Sequence, residues 1–412
     1  MLQRRTFLAA SVKLTLLAPF GTLAVAAPNP DARFVLVILR GGLDGLAAVP
    51  PYADPQYRAL RGALAIDSPG ADGGVLPLDG LFGLHPSLTS LHAMYEASEL
   101  AVLHAVATPY RERSHFDGQK VLEAGGTTPA TSDGGWLNRA LTALATGGDA
   151  RAAIALAENV PLVLRGEFAV SSWAPSRLPG TDDDLLARVR RLYEASDPKL
   201  AARLTEALGA RELAGDAGET QRLGGRGGQQ IAPLASAAAR FLGTADGPRI
   251  AVLDVDGWDT HANQGASQGN LALRLRALDA GIAALKTELG AHWRDTSVLV
   301  VTEFGRTVAV NGTRGTDHGT AGCAFLAGGA IEGGRVIADW PGLAARDLHE
   351  GRDLRATLDL RAVFKTVLGE QFGVAESALE TTVFPNSAAA APLSNLIAKA
   401  EAGVRPGVRP RV

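Results

Sequence analysis

Short, nearly unbroken apolar runs constrain this chain more than any other feature. Phe34 to Leu39 reads FVLVIL, Leu100 to Ala107 reads LAVLHAVA, Ile250 to Val255 reads IAVLDV and Ser297 to Val301 reads SVLVV. Each has the length of a strand and lacks the polar face that a half-exposed antiparallel strand shows to water. Such strands belong in a sheet covered on both faces. Segments with helical spacing lie between them, as at Leu271, Leu275, Leu278, Ile282 and Leu285. The alternation predicts an α/β fold with a mainly parallel central sheet and helices on both faces.

In sheets of this kind, ligands gather outside the carboxyl ends of the strands. The first run leads into RGGLDGL, which carries Asp44, and the third into DGWDTH, which carries Asp256, Asp259 and His261. The fourth leads into TEFGRT with Glu303, followed by the glycine-rich stretch NGTRGTDHGTAG with His318. Taken singly, each residue has a plain structural account, and Asp44 alone reads equally well as a turn or helix-capping residue. Their shared placement at strand exits predicts one polar centre, built around a divalent metal held by carboxylate oxygens and imidazole nitrogens from separate loops. Zinc, manganese and calcium are all compatible with that set.

The second run leads into TPYRERSHFDGQ. Ser114 and Asp117 have capping-box-like spacing, so a helix is expected from there to Glu123. Ser114 reads either as the N-cap of that helix or as a nucleophile at a helix N-terminus, where amides and dipole favour an anion. Arg111 and Arg113 are suited to gripping the oxygens of such an anion.

The remaining elements are weaker. Strands are expected at 153–157, 162–164, 324–327 and 334–337, with a hairpin completed by 166–169. Helices are expected at 86–97, 136–146, 269–289 and 358–368. Residues 181–245 read as a mainly helical insertion, with RLGGRGGQQ as a mobile connection rather than a nucleotide loop, because no strand precedes it. Cys323 reads as a small buried residue. The domain expectation is one α/β domain over 27–386 and a loosely ordered Ala- and Pro-rich tail over 387–412.

Residues 1–26 are set apart from the fold. Arg4 and Arg5 stand before Phe7 and Leu8, and an apolar run follows to Ala24-Val25-Ala26, a small-residue cleavage site. This is the pattern of a twin-arginine signal peptide, which makes the twin-arginine translocase a partner and places the mature chain in the periplasm or outside the cell. No later uncharged apolar run reaches the roughly 18 residues of a membrane span. The formal net charge of −3, with no basic stripe, excludes a typical nucleic-acid binder.

The twin-arginine start, LRGGLDGL, RSHFDGQ, DGWDTHANQ, TEFGRT and GTDHG, in this order, resemble the bacterial exported family catalogued as domain of unknown function 1501, placed in the alkaline phosphatase and sulfatase superfamily. The resemblance runs from Phe34 to about Phe384. It implies an alkaline-phosphatase-like fold, a metal-binding Asp at Asp44, one metal on Asp256 or Asp259 with His261 and His318, and a second metal at an Asp-His pair. The equivalent of that pair is Thr302-Glu303-Phe304-Gly305, and Phe304 offers no donor, so the second site is weakened or lost. Two functional expectations follow. One is an exported metal-dependent hydrolase of a phosphate or sulfate ester, acting on a small ester or a glycan. The other is a non-catalytic exported binding or cell-envelope assembly protein on the same scaffold.

Overall fold

The computed structural model describes residues 29–129, 134–145, 153–175, 182–215 and 231–398. The signal-peptide segment, the RLGGRGGQQ connection and the last part of the tail lie outside these residues.

The strands of the main sheet are β1 (Arg33–Arg40), β2 (Leu100–Ala107), β3 (Ala153–Leu156), β4 (Ser171–Ser172), β5 (Ile250–Asp256), β6 (Thr296–Thr302), β7 (Gly322–Ala327), β8 (Arg335–Ile337) and β9 (Leu358–Asp359). They lie in the order β8-β2-β7-β6-β1-β5-β3-β4, with β9 also paired to β2. Every pairing is parallel except those of β7, which runs antiparallel to both β2 and β6. The longer helices among the described residues are α1 (Thr89–Glu96), α2 (His115–Ala124), α3 (Trp136–Ala145), α4 (Asp183–Ser196), α5 (Pro198–Ala214), α6 (Ile231–Gly243), α7 (Asn270–Leu289) and α8 (Leu360–Thr366).

Side chains along β1 alternate between two separate cores. Val35, Val37 and Leu39 pack in one cluster with Leu91 of α1, Ala238 of α6 and Leu275 and Leu278 of α7. Phe34, Leu36 and Ile38 pack in the other with Leu122 of α2, Trp136 of α3 and Val363 and Phe364 of α8. Apolar burial on both faces is why these strands carry no polar alternation. The result is an alkaline-phosphatase-like α/β fold, a mostly parallel sheet between two helical layers.

The weaker elements differ in detail from the expectations. Leu162–Leu164 is a single helical turn following Pro161, and 166–169 forms no hairpin; Ser171–Ser172 instead joins β3 in parallel. The 358–368 segment opens as a strand pair before α8 starts at Leu360, and it continues past Thr366 as a wider π-type turn. The described part of the tail is held down. Buried Lys365 donates to the Ser387 carbonyl at 2.8 Å, the Leu393 amide donates to Thr366 Oγ1 at 2.8 Å, and Leu396 and Ile397 are buried. No helix among the described residues is long and apolar enough to cross a membrane.

Register decides where the site forms. Arg40 stands opposite Asp256 on one side of β1, and Leu39 stands opposite Thr302 on the other. The three central strands therefore end level, and their exits open on one patch. Gly41 sits at that exit with φ +121, and a Cβ there would lie 2.4 Å from the Asp259 amide nitrogen. Only glycine lets the chain after β5 cross so close. Gly315 plays the same part for the later loop, since its Cβ would lie 2.3 Å from the His261 carbonyl carbon.

Candidate metal centre

Three chain segments meet above the ends of β1, β5 and β6. Asp259 and His261 come from the turn after β5, His318 from the loop between β6 and β7, and His115 from the first turn of α2, after β2. Each imidazole is fixed through its Nδ1. His115 Nδ1 lies 2.7 Å from Glu303 Oε1, His261 Nδ1 lies 3.1 Å from Asp317 Oδ1, and His318 Nδ1 lies 2.9 Å from the Arg113 carbonyl. Carboxylates and carbonyls only accept, so all three Nδ1 atoms carry the proton and donate. That leaves the Nε2 lone pairs free, and they converge.

The Nε2 atoms of His115 and His318 are 2.9 Å apart, as are those of His261 and His318. Asp259 closes the group, with Oδ2 at 3.5 Å from His115 Nε2 and Oδ1 at 3.4 Å from His318 Nε2 and 3.0 Å from His261 Nε2. Lone pairs at such distances repel unless a cation lies among them. A tetrahedral ion with metal–nitrogen bonds of about 2.05 Å has donor–donor edges of about 3.3 Å, and the edges of the His115–Asp259–His318 triad match that size. Nitrogen-rich donors with Nδ1 tied to acceptors are the usual form of a transition-metal site and its supporting shell.

The residues singled out from the sequence divide accordingly. Asp259, His261 and His318 are brought together. Glu303 lies behind His115: it is fully buried and accepts from His115, from the Gly41 amide at 2.9 Å and from Gln119 at 3.2 Å, so it is outside the convergent His115–Asp259–His318 group. Asp44 is also outside the cluster. Its carboxylate accepts from the buried Arg61 guanidinium, from Gln264 Nε2 at 2.7 Å and from the Ala47 amide at 3.2 Å, capping the turn Gly45–Ala48. Asp256 is exposed at the end of β5 and stands apart from the convergent donors.

Arg111 and Arg113 are engaged elsewhere. Arg111 donates to the carbonyls of Thr108 and Tyr110, while Arg113 pairs with Glu350 and, at 2.7 Å, with the buried Asp353. Ser114 occupies the N-cap position of α2, but its side chain makes no capping bond. Phe304, the residue without a donor at the expected weakened second site, is buried and packs its ring 4.8 Å from that of His115 and 5.2 Å from that of His318. It forms an apolar wall beneath the donors.

Electrostatics follow from these contacts. The hydrogen bond to Glu303 raises the pKa of His115, outweighing burial. Burial, together with the nearby charges of His115 and Arg306, lowers that of His318. Burial would push Asp259 up, but the Arg306 guanidinium, 2.5 Å from Oδ1, holds it below the usual carboxylate range. Glu303 is likewise held low against its burial, by His115 and the donors around it.

Sequence reasoning missed His115, although it follows Ser114 directly in RSHFDGQ. It also missed Arg306 of TEFGRT and the supporting role of Asp317 in GTDHG.

Residues 80–383 match the family described as Protein of unknown function (DUF1501). The chain belongs to this family. No match is found among curated proteins. Among solved structures, the C-terminal periplasmic domain of EcEptC from Escherichia coli is similar at 10% identity and a TM-score of 0.39, over 88% of this chain and 89% of that one. The PsFucS1 sulfatase from Pseudoalteromonas sp. is similar at 14% identity and a TM-score of 0.35, over 88% and 71%. The phosphonate monoester hydrolase of Agrobacterium radiobacter is similar at 15% identity and a TM-score of 0.32, over 83% and 74%. Scores this low carry nothing about activity to this member of the family.

Proposed function

We propose that this chain is an exported hydrolase of phosphate or sulfate esters that works with a single divalent ion. The observation that carries the reading is the convergence of His115 Nε2, His318 Nε2 and an Asp259 carboxylate oxygen, with both imidazoles locked by acceptors on Nδ1. His261, beside His318 and Asp259, completes the donor group. An imidazole-rich set favours zinc first, with manganese next through its mixed carboxylate and imidazole coordination, over calcium, which prefers six or more oxygens. When bound, the ion supplies Lewis acidity toward an ester oxygen and its developing charge.

The chain's own groups have separate parts in this proposal. Glu303, Asp317 and the Arg113 carbonyl hold the imidazoles with Nε2 inward. Arg306 keeps Asp259 ionised and aimed at the donors. Ser114, one residue before His115 at the start of α2, is the proposed attacking hydroxyl. Export by the twin-arginine route is part of the same proposal and rests on Arg4, Arg5 and the Ala24-Val25-Ala26 site.

Elemental analysis of protein purified without chelator tests the reading. One equivalent of zinc or manganese is expected, with turnover of 4-nitrophenyl phosphate or sulfate that is lost in His318→Ala. Protein that takes up no divalent ion sinks it. The second reading, a non-catalytic binding or assembly protein, is favoured by the engagement of Arg113 with two carboxylates through Nε and Nη2 and of Arg111 Nη1 with two carbonyls, which turns part of each guanidinium away from an ester anion. A metal-loaded chain inert toward every phosphate and sulfate ester would select it.

A further inference from the structure

A buried chain of hydrogen bonds runs from Asp44 to the metal centre. Gln264 Nε2 donates to Asp44 Oδ2 at 2.7 Å, and Gln264 Oε1 accepts from the hydroxyls of Thr316 at 2.9 Å and Thr260 at 2.8 Å. Arg306 Nε donates to Thr316 Oγ1 at 3.2 Å, and Arg306 Nη1 donates to Asp259 Oδ1 at 2.5 Å. Asp44, Gln264, Thr316 and Arg306 are all almost wholly buried, so water does not substitute for a missing partner.

The directions of the bonds between Asp44 and Thr316 are set at the Asp44 end, and those of Arg306 by the guanidinium itself. The Asp44 carboxylate oxygen that faces Arg61 and Gln264 accepts from both, so the Gln264 amide must turn its NH2 toward it and its oxygen toward Thr316. Thr316 must then spend its single proton on Gln264, and its oxygen is left to accept from Arg306. The guanidinium only donates, so a reversed Thr316 would set two donors face to face. The Thr316 hydroxyl shares the placing of the guanidinium with the Thr316 carbonyl, which accepts from Nη2, and the Gly41 carbonyl, 3.4 Å from Nη1, and the same Nη1 holds Asp259.

We propose that Asp44 is a positioning residue for the metal centre, acting through Gln264, Thr316 and Arg306 on the orientation of Asp259. The inference rests on the metal-site reading above and gives Asp44 a role other than ligation. It accounts for the burial of Asp44 and Arg61 away from the donors, since a buried ion pair is weak evidence of a stability role alone.

The test uses the full mature chain. Asp44→Asn removes the acceptor-only end, and Thr316→Val cuts the chain at a hydroxyl with little change of shape. Zinc affinity is measured by competition with a chromophoric chelator, and the cobalt-substituted protein is examined by visible absorption, which reports coordination number and geometry. Each folded variant is expected to bind zinc several-fold to about tenfold more weakly, at the low end of supporting-shell effects. Cobalt should keep its coordination number, and the double variant should lose no more than the larger single loss. A structural role alone would lower thermal stability and leave affinity unchanged. Thr316→Val keeps the idea testable if Asp44→Asn does not fold.

Unchanged zinc affinity in the folded variants overturns the inference while leaving the metal site standing. A loss of one cobalt ligand in Asp44→Asn overturns it in favour of direct ligation. A wild-type chain that takes up neither zinc nor cobalt removes the metal-site reading and this inference together.

Discussion

Glu303→Gln separates a supporting role from a ligating one without leaving an orphaned group. Glu303 Oε1 accepts from His115 Nδ1 at 2.7 Å and from the Gly41 amide at 2.9 Å, and Thr302 Oγ1 donates to Oε2 at 3.0 Å. A glutamine oxygen can take over these bonds at Oε1, together with the one from Gln119 Nε2 at 3.2 Å. Its amide nitrogen then meets Thr302 Oγ1, which can turn its proton to the Leu39 carbonyl, 2.8 Å away. Geometry is kept and only the charge behind His115 is lost. Removing such a supporting carboxylate typically weakens metal binding by 10- to 100-fold, or about 1.4 to 2.7 kcal/mol. The assay is zinc competition at fixed pH and ionic strength, with His115→Ala measured alongside. Glu303→Gln should fall between wild type and His115→Ala and keep full stoichiometry. Wild-type affinity in Glu303→Gln would refute the view that Glu303 tunes His115, and a loss as complete as that of His115→Ala would make Glu303 a ligand.

The other predictions address single residues. His318→Ala should abolish stoichiometric zinc uptake with the far-ultraviolet circular dichroism unchanged, because His318 Nε2 lies within bonding reach of every other donor group; retained zinc would disprove its central place. Gly41→Ala should destabilise the protein by about 3 kcal/mol and weaken metal binding, read as a lower Tm and a weaker Kd, since the new Cβ meets backbone at a positive φ. His104 gives a pH dependence. It is wholly buried, with burial lowering its pKa to about 4, and its Nε2 donates to the Val49 carbonyl at 3.0 Å while Nδ1 accepts from the Ala105 amide at 2.8 Å. The unfolded chain takes up its proton near the ordinary pKa of about 6.5. Stability is therefore lost as pH falls from about 6.5 towards 4, by about 3 kcal/mol from this group. By urea unfolding, chelator-treated His104→Gln should lose about 3 kcal/mol less stability than wild type between about pH 6.5 and 4, and equal losses would contradict the assignment.

Much of the architecture was legible because it depends on local pattern. The apolar runs at Phe34, Leu100, Ile250 and Ser297 needed two covered faces, and that requirement alone yields a mostly parallel sheet between helices. The same local reading failed at Leu162–Leu164, where three apolar residues do not distinguish a strand from a helical turn after proline. It also missed the antiparallel course of β7, because direction is a property of a pairing.

The site divides along the same line. The sequence by itself determined that acids and histidines would be delivered to strand exits, and it supplied Asp259, His261 and His318 there. Only the tertiary structure decided which groups converge. It drew in His115 from another strand's exit, set Glu303 behind it, and turned Asp44 toward Arg61 and Gln264. The physical reason is that ligation depends on the direction of a lone pair to within an ångström or so. That direction is fixed by the partner on the other side of the residue, which lies far away in sequence: 188 residues for His115 and Glu303, and 205 for His318 and the Arg113 carbonyl.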